Sequence, residues 1–182
     1  KVDGAEATVD NVKAGTYKLS RPFNIATKGE PTGVAKDFIN FILSKEGQAV
    51  VTDNKYIAVN DAAESFVSDG SSGQIAVGGS SSVSPVMEKL IEAYKSVNPN
   101  ASIDLQTSDS TSGMTGAMDG TFAIGMASRE LKDEEAAQLT GTAIALDGIA
   151  VIVNPANTID ELSMDQIKSI YVGDITDWGD LA

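Results

Sequence analysis

The sequence predicts an α/β fold with a mostly parallel sheet and helices on both faces. From Gln74 onward, short apolar runs alternate with amphipathic segments, which is the pattern of repeated strand–helix units. The chain has 182 residues and is 42% hydrophobic, enough for one sizeable core. No apolar stretch approaches the length of a transmembrane helix, and the N-terminus does not resemble a signal peptide. We therefore expect a mature or excised fragment.

The first sixty residues predict one strand and three helical segments. These are a helical turn at 10–14, a strand within 17–28 whose buried part is 23–26, a helix opened by 31–33, and a helix capped by Ser44. A short extended run follows at 56–59. Residues 61–73 are rich in Ser, Gly, Asp and Ala, and their composition indicates a linker.

The remaining residues predict strands and helices in alternation. The strands are expected at 75–77, 103–106 and 122–126, and the helices at 85–96, after Ser112, at 132–139 and after the capping box 163–166. The longest apolar run is 144–154, interrupted by residues 145–148. Met114 and Met118 are expected in the core, and the acidic residues 133–135 on a solvated face.

Three strand–helix turns are unusually small and polar, namely Gly79–Ser82, Ser108–Gly113 and Ala127–Arg129. Ligands of parallel sheets bind beyond the carboxyl ends of the strands, so these turns are expected to face one site. The first turn also precedes a helix, whose unpaired N–H groups and dipole favour an anion. The alternative is that the serines form a flexible linker, but the flanking periodicity favours strand, turn and helix.

Composition excludes several function classes. The net charge of −13 argues against nucleic acid and anionic membranes as partners. The absence of Cys and His excludes a thiol nucleophile, a Ser–His pair and a Cys/His zinc site. We therefore expect no metal and no cofactor, whereas a small anion can still bind to local amides and hydroxyls.

Several motifs resemble the phosphate-binding proteins of bacterial phosphate ABC transporters. They are Gly79–Leu90, Met118–Thr121, Ile124–Leu131, Asp147–Pro155 and Ile167–Trp178, and they cover most of residues 74–182. Residues 19–31 and 38–47 resemble the carboxy-terminal end of the same family. The family's tail therefore precedes its head in this chain, through a tandem fragment, a natural permutation or engineering.

The resemblance implies one lobe of a two-lobed solute-binding protein in circularly permuted order. Residues 1–60 and 74–182, joined by the linker 61–73, would build this lobe together. The family's second lobe carries a Gly-Ser-Gly-Thr-Arg type loop that closes over the anion, and nothing in this sequence matches it. We therefore expect half of the binding cleft, with an affinity for phosphate of roughly millimolar or weaker.

The resemblance also implies the residues that bind the anion. The family's three anion loops fall on Ser80, Ser81, Ser82, Ser110, Thr111, Ser128 and Arg129. We expect the Ser81 hydroxyl and the amide or hydroxyl of Ser82 to bind oxygens. In the second loop, where relatives often have more glycine, Ser110 is favoured and Thr111 is the alternative. Arg129 would supply the strong positive charge, with bidentate geometry suited to phosphate.

Several residues in and beside these loops also have a purely structural interpretation. Ser84 is expected to be a helix N-cap followed by Pro85, and Ser110 or Ser112 could simply cap the next helix. Arg129 could instead form a surface ion pair, with Glu130, Asp133 or Glu134 as the partner.

The sequence thus favours an extracellular, cell-surface or periplasmic solute-binding protein that captures inorganic phosphate for the permease of an ABC importer. One alternative is an interaction or scaffold module that keeps the fold without transport. The other is an enzyme acting on phosphorylated substrates, which the absence of a Gly-Lys-Ser/Thr loop and of paired carboxylates disfavours. Selectivity between phosphate and sulfate and the oligomeric state stay open.

Overall fold

A mixed five-stranded sheet organises the larger of two units in the computed structural model, which describes residues 1–181. That unit is Arg21–Asp147, and the smaller one combines Lys1–Ser20 with the stretch from Gly148 onward. The strands are β1 (Ser20–Thr27), β2 (Gly73–Ser80), β3 (Ala101–Ser108), β4 (Ile124–Ala127) and β5 (Thr140–Gly148). The helices are α1 (Val9–Lys13), α2 (Gly33–Leu43), α3 (Lys45–Asp53), α4 (Ser84–Val97), α5 (Ser110–Asp119), α6 (Asp133–Ala136) and α7 (Met164–Val172).

The strand order is β3-β2-β4-β1-β5. Strand β2 runs parallel to β3 and β4, so the carboxyl ends of these three strands lie at one edge. Strand β1 runs antiparallel to β4, with Ile25 opposite Met126. The sheet thus has a parallel part, as predicted, and a strand from the first segment inserted between β4 and β5.

Alternating residues of the strands divide the core between the two faces of the sheet. Ile25 and Met126 belong to a large cluster that includes apolar residues of α2, α3 and α4. Their neighbours Ala26 and Ala127 belong to a smaller cluster with Met114 of α5. Helices therefore cover both faces, which confirms the predicted architecture.

Glycine lets α5 approach the sheet very closely. A Cβ on Gly113 would lie 2.7 Å from the Gly79 Cα and 2.7 Å from the Met126 carbonyl oxygen. Gly79 has a φ of 135°, a conformation that L side chains rarely adopt. This backbone contact brings the first residues of α5 to the carboxyl ends of β2 and β4.

Local capping signals predict two helix starts correctly. Ser44 accepts a hydrogen bond from the Gly47 amide at 3.2 Å, and Ser163 forms a capping box with Gln166. The prediction for Ser84 is wrong, because Val83 is the N-cap and Ser84 is the first residue of α4. A turn in which the Val83 amide donates to Ser80 starts the helix one residue earlier.

The acidic helix and the long apolar run differ from their predicted bounds. Helix α6 is limited to residues 133–136, shorter than the 132–139 predicted from composition. The run 144–154 is divided, because β5 ends at Gly148 and residues 149–153 have no regular structure. Ile144 and Ala145 are buried, whereas Ile152 is 89% exposed.

The segment 61–73 contains no helix and no strand before β2, and Asp37 of α2 holds it against the rest of the larger unit. The Asp37 carboxylate is 1% exposed and accepts hydrogen bonds from the Ser68 hydroxyl at 2.7 Å and the Asp69 amide at 2.9 Å. It also accepts from the Tyr94 hydroxyl at 2.7 Å and the Asn98 amide at 3.1 Å. One buried carboxylate thus joins the segment to α2 and α4.

These hydrogen bonds predict a pH dependence of stability. Burial alone would raise the pKa of Asp37, but the bonds from Asp69, Tyr94, Ser68 and Asn98 outweigh it and leave that pKa below the usual value. The stabilisation is therefore complete above the unfolded pKa of about 4 and is lost as the pH falls through the lower folded value. In unfolding curves at descending pH, the stability difference between the wild type and Asp37→Asn should shrink below about pH 4. A difference that does not change with pH would contradict this.

The smaller unit contains α1 and α7. The Lys1 amino group donates to the Asp160 carbonyl at 2.7 Å, and Val2 bridges Leu162. The Tyr17 hydroxyl donates to the Ile149 carbonyl oxygen at 2.7 Å. Within residues 1–181, no helix combines the length and the apolar character needed to cross a membrane.

Candidate anion-binding site

The three polar turns meet at the carboxyl edge of the parallel strands, as predicted. Ser80 ends β2 and donates from its hydroxyl to the Ser128 hydroxyl at 3.0 Å. The Ser128 amide donates to the Ser110 hydroxyl at 3.1 Å, and the two hydroxyls lie 3.5 Å apart. Three hydroxyl groups from distant parts of the sequence therefore form one cluster, with Ser80 buried and the other two half-buried.

The first turn presents free donors beside this cluster. The Ser81 amide is already used, because it donates to the Ser108 carbonyl at 2.9 Å. Within the described part of the chain, the Ser82 amide and the hydroxyls of Ser81 and Ser82 have no hydrogen-bond partner. Ser84 is turned inwards, donating to the Ser80 carbonyl and accepting from Thr107. Ser81 and Ser82 are thus the groups of this turn with capacity for a ligand.

In the second turn, Asp109 is the N-cap of helix α5. The alternative that Ser110 or Ser112 caps this helix is therefore wrong. The Asp109 carboxylate accepts from the amides of Thr111 and Ser112 and from the Ser112 hydroxyl at 2.6 Å. These bonds from Ser112 and Thr111 lower the pKa of Asp109. Ser110 is therefore free to contact Ser128, but a negative charge lies next to the cluster.

Arg129 has a different environment from the one predicted. Its guanidinium forms a bidentate ion pair with Glu135, with both N–O distances at 2.8 Å. Glu130, Asp133 and Glu134 are therefore not its side-chain partners, although the Glu130 carbonyl accepts from Nη1 at 2.9 Å.

The pairing of Arg129 changes the electrostatics of the site. Glu135 is 2% exposed, so it does not belong to a solvated acidic face. Hydrogen bonds from Arg129 lower the pKa of Glu135, and the same bonds raise that of Arg129, so both stay charged at neutral pH. The guanidinium therefore does not add an unbalanced positive charge, and the face formed by its Nη1 and Nη2 groups is not open to phosphate.

The first sequence segment also contributes to the third turn. The side-chain amide of Asn24 in β1 donates to the Arg129 carbonyl oxygen at 3.0 Å and to the Glu130 carboxylate at 3.5 Å. Asn24 is buried, so this contact fixes the backbone that follows β4. The segment that resembles the family's tail thus supports a loop of the segment that resembles its head.

Sequence reasoning missed Asp109, Glu135 and Asn24. Asp109 could have been found, because Asp is among the residues preferred at helix N-caps and it lies in the turn that precedes the predicted helix. Glu135 and Asn24 carry no comparable signal, since they reach Arg129 from six residues away and from another strand.

The cluster can donate hydrogen bonds to an oxyanion through hydroxyl and amide groups. Ser80, Ser110 and Ser128 lie together, and Thr111 is 3.4 Å from the Arg129 guanidinium. Nothing in residues 1–181 groups three or more Asp or Glu side chains in a way that could hold a metal ion. The arrangement therefore suits recognition of an anion by hydrogen bonding at the edge of the sheet.

In comparisons with known proteins, the chain is similar in sequence and in structure to phosphate-binding proteins. Over 184 aligned residues, the whole chain is 52% identical to phosphate-binding protein PstS 2 of Streptococcus agalactiae and covers 62% of it. For PstS 2 of Streptococcus pneumoniae, the identity is 46% over 98% of this chain and 61% of the relative. A crystal structure of a phosphate-binding protein of a phosphate ABC transporter from S. pneumoniae matches with a TM-score of 0.94 and 45% identity, covering 100% of this chain and 71% of that one.

These matches bear on the order of the two segments. One alignment spans the whole chain in the S. agalactiae protein, so that relative has the two segments in the same order. PstS of Bacillus subtilis matches over only 60% of the chain. The order is therefore shared with the S. agalactiae relative. The chain spans about 62% of the length of the first relatives.

The chain also matches the model of a protein family, which agrees with these similarities. Residues 65–182 match the PBP superfamily domain, which is more than half of the chain. This stretch includes all three turns of the hydroxyl cluster. With the similarity of the whole chain to phosphate-binding proteins, this match shows that the chain belongs to the PBP superfamily.

Proposed function

We propose that this chain is the anion-binding lobe of an exported solute-binding protein that captures inorganic phosphate for an ABC importer. The observation that carries the proposal is the meeting of three hydroxyls where parallel strands end: that of Ser128 lies 3.0 Å from that of Ser80 and 3.5 Å from that of Ser110. The names of the relatives agree with phosphate as the ligand.

In this proposal the protein binds and releases phosphate without catalysis. Ser80, Ser81, Ser82, Ser110, Thr111 and Ser128 donate hydrogen bonds to the phosphate oxygens, and Arg129 contributes from the side of Thr111. The segments 1–60 and 74–182, joined by 61–73, correspond to the two ends of the family's chain. A second lobe completes the cleft, and the permease of the importer accepts phosphate from the closed protein outside the cell.

A phosphate titration of the 15N-labelled chain, followed by NMR, tests the proposal. We expect shifts of the amides of Ser82, Ser110 and Ser128, with a dissociation constant of roughly 1 mM, because one lobe supplies only half of the contacts. Chloride at the same ionic strength should not cause these shifts. Shifts that lie away from the three turns, or no shifts, would contradict the proposal and favour the interaction-module alternative.

Ser128→Ala provides a sharper test. It removes the hydroxyl that contacts both Ser80 and Ser110, and we expect the affinity for phosphate to fall about tenfold, since a hydrogen bond to a charged group is worth about 1.5 kcal/mol or more. Ser96→Ala, on the exposed side of α4, is the matched control and should bind as the wild type does. Equal affinities of the two variants would contradict the assigned role of the cluster.

A further inference from the structure

Both Nη groups of Arg129 are fully engaged. Nη1 donates to the Glu130 carbonyl at 2.9 Å and to Glu135 at 2.8 Å. Nη2 donates to Glu135 at 2.8 Å and to the Thr111 hydroxyl at 3.4 Å. Each Nη group carries two hydrogens, so all four are used. The longest and weakest contact is the one to Thr111, on the side of the hydroxyl cluster.

The partner of Arg129 is itself fixed. Glu135 is 2% exposed and also accepts a hydrogen bond from the Lys132 amide at 2.8 Å. Release of Arg129 would leave a buried carboxylate without its counter-charge, which is strongly unfavourable. The ion pair is therefore expected to persist when an anion enters the site.

Resting on the proposed function, we propose that Glu135 is a positioning residue of the anion site. It keeps the face formed by Nη1 and Nη2 of Arg129 turned towards the protein, so an anion contacts the guanidinium only from the side of Thr111. It also offsets the guanidinium charge, so the anion is held mainly by neutral hydroxyl and amide donors. Glu135 thereby determines how Arg129 contacts the ligand, without contacting the ligand itself.

The wild-type chain allows a direct test of whether Glu135 keeps Arg129 in place when phosphate binds. In NMR spectra of the arginine guanidinium groups, the bidentate pair should slow rotation and keep the Nη signals of Arg129 separate. We expect these signals to stay separate at saturating phosphate. Signals that merge on phosphate binding would show that the anion releases Arg129 from Glu135, and would overturn the proposal.

Glu135→Gln tests the charge. Removing the carboxylate leaves the guanidinium charge unbalanced, so phosphate should bind about threefold more tightly at low ionic strength, and the gain should disappear at high ionic strength. Glu134→Gln is the matched control, because it makes the same change at an exposed position of α6. In a background carrying Arg129→Gln, Glu135→Gln should have no further effect on affinity, because Glu135 acts through Arg129.

The outcomes separate this inference from the proposed function. If the wild type does not bind phosphate, the proposed function fails and this inference fails with it. If the wild type binds and Glu135→Gln binds identically, only the inference is overturned. A gain that Glu134→Gln reproduces, or that persists without Arg129, would also overturn it. Should Glu135→Gln not fold, the wild-type guanidinium spectra decide.

Discussion

Asp37→Asn should lower the free energy of unfolding by about 3 kcal/mol. The Asp37 carboxylate accepts four hydrogen bonds in a buried position, three of them on Oδ2, from Ser68, Tyr94 and Asn98. Asparagine must place its NH2 group at one of the two oxygen positions. If that group takes the position of Oδ1, it faces the Asp69 amide, and two donors then oppose each other. At least one buried donor loses its partner, and the other bonds lose their charge assistance.

The measurement must report the larger unit, to which Asp37 belongs. The single tryptophan, Trp178, lies in the smaller unit, so its fluorescence does not report directly on the larger one. Far-UV circular dichroism during urea unfolding is suitable. Asp53→Asn, at an exposed position of α3, is the matched control and should change stability by about 0.5 kcal/mol or less. Equal stabilities of the two variants would refute the structural role of Asp37.

Gly113→Ala should destabilise the chain by about 2 kcal/mol and weaken phosphate binding. In an ordinary helix the same substitution stabilises by up to about 1 kcal/mol, so the sign of the effect is diagnostic. Here a Cβ would lie 2.7 to 2.9 Å from backbone atoms of Gly78, Gly79 and Met126, none of which can rotate away. Helix α5 must move outwards, which separates Ser110 from Ser128.

Thr115→Ala is the control for this prediction. Thr115 lies in α5 but is exposed, so alanine there should leave stability unchanged or slightly increased. Urea unfolding and phosphate titration of both variants give the comparison. A stabilising Gly113→Ala would show that the close approach of α5 is not tight. Unchanged phosphate binding would show that the site does not depend on it.

Local sequence signals were sufficient for much of the fold. The alternation of strands and helices, the cap at Ser44 and the capping box at Ser163 act within a few residues, so the sequence displays both partners together. The meeting of the three polar turns was also predictable, because carboxyl ends of parallel strands share an edge. The resemblance to phosphate-binding proteins added the candidate residues themselves.

Other features depend on partners that are distant in sequence, or on polar residues that are buried although their composition suggests exposure. The composition of residues 61–73 indicates a linker, yet Asp37 holds this segment from a helix about thirty residues away. The acidic run at 133–135 suggests a solvated face, yet Glu135 is buried because it neutralises Arg129. From composition one expects a charged side chain to be exposed, because its burial is unfavourable. Composition does not identify the partner that offsets this desolvation free energy.

The sequence by itself determined that this is an α/β chain with hydroxyl-bearing turns at one edge of a sheet, because periodicity and turn chemistry are local properties. Only the tertiary structure decided which hydroxyls meet, that Asp109 and Glu135 set the charge around them, and that Arg129 faces the protein. These depend on distances between atoms far apart in the chain, which are fixed by packing such as the contact of Gly79 with Gly113.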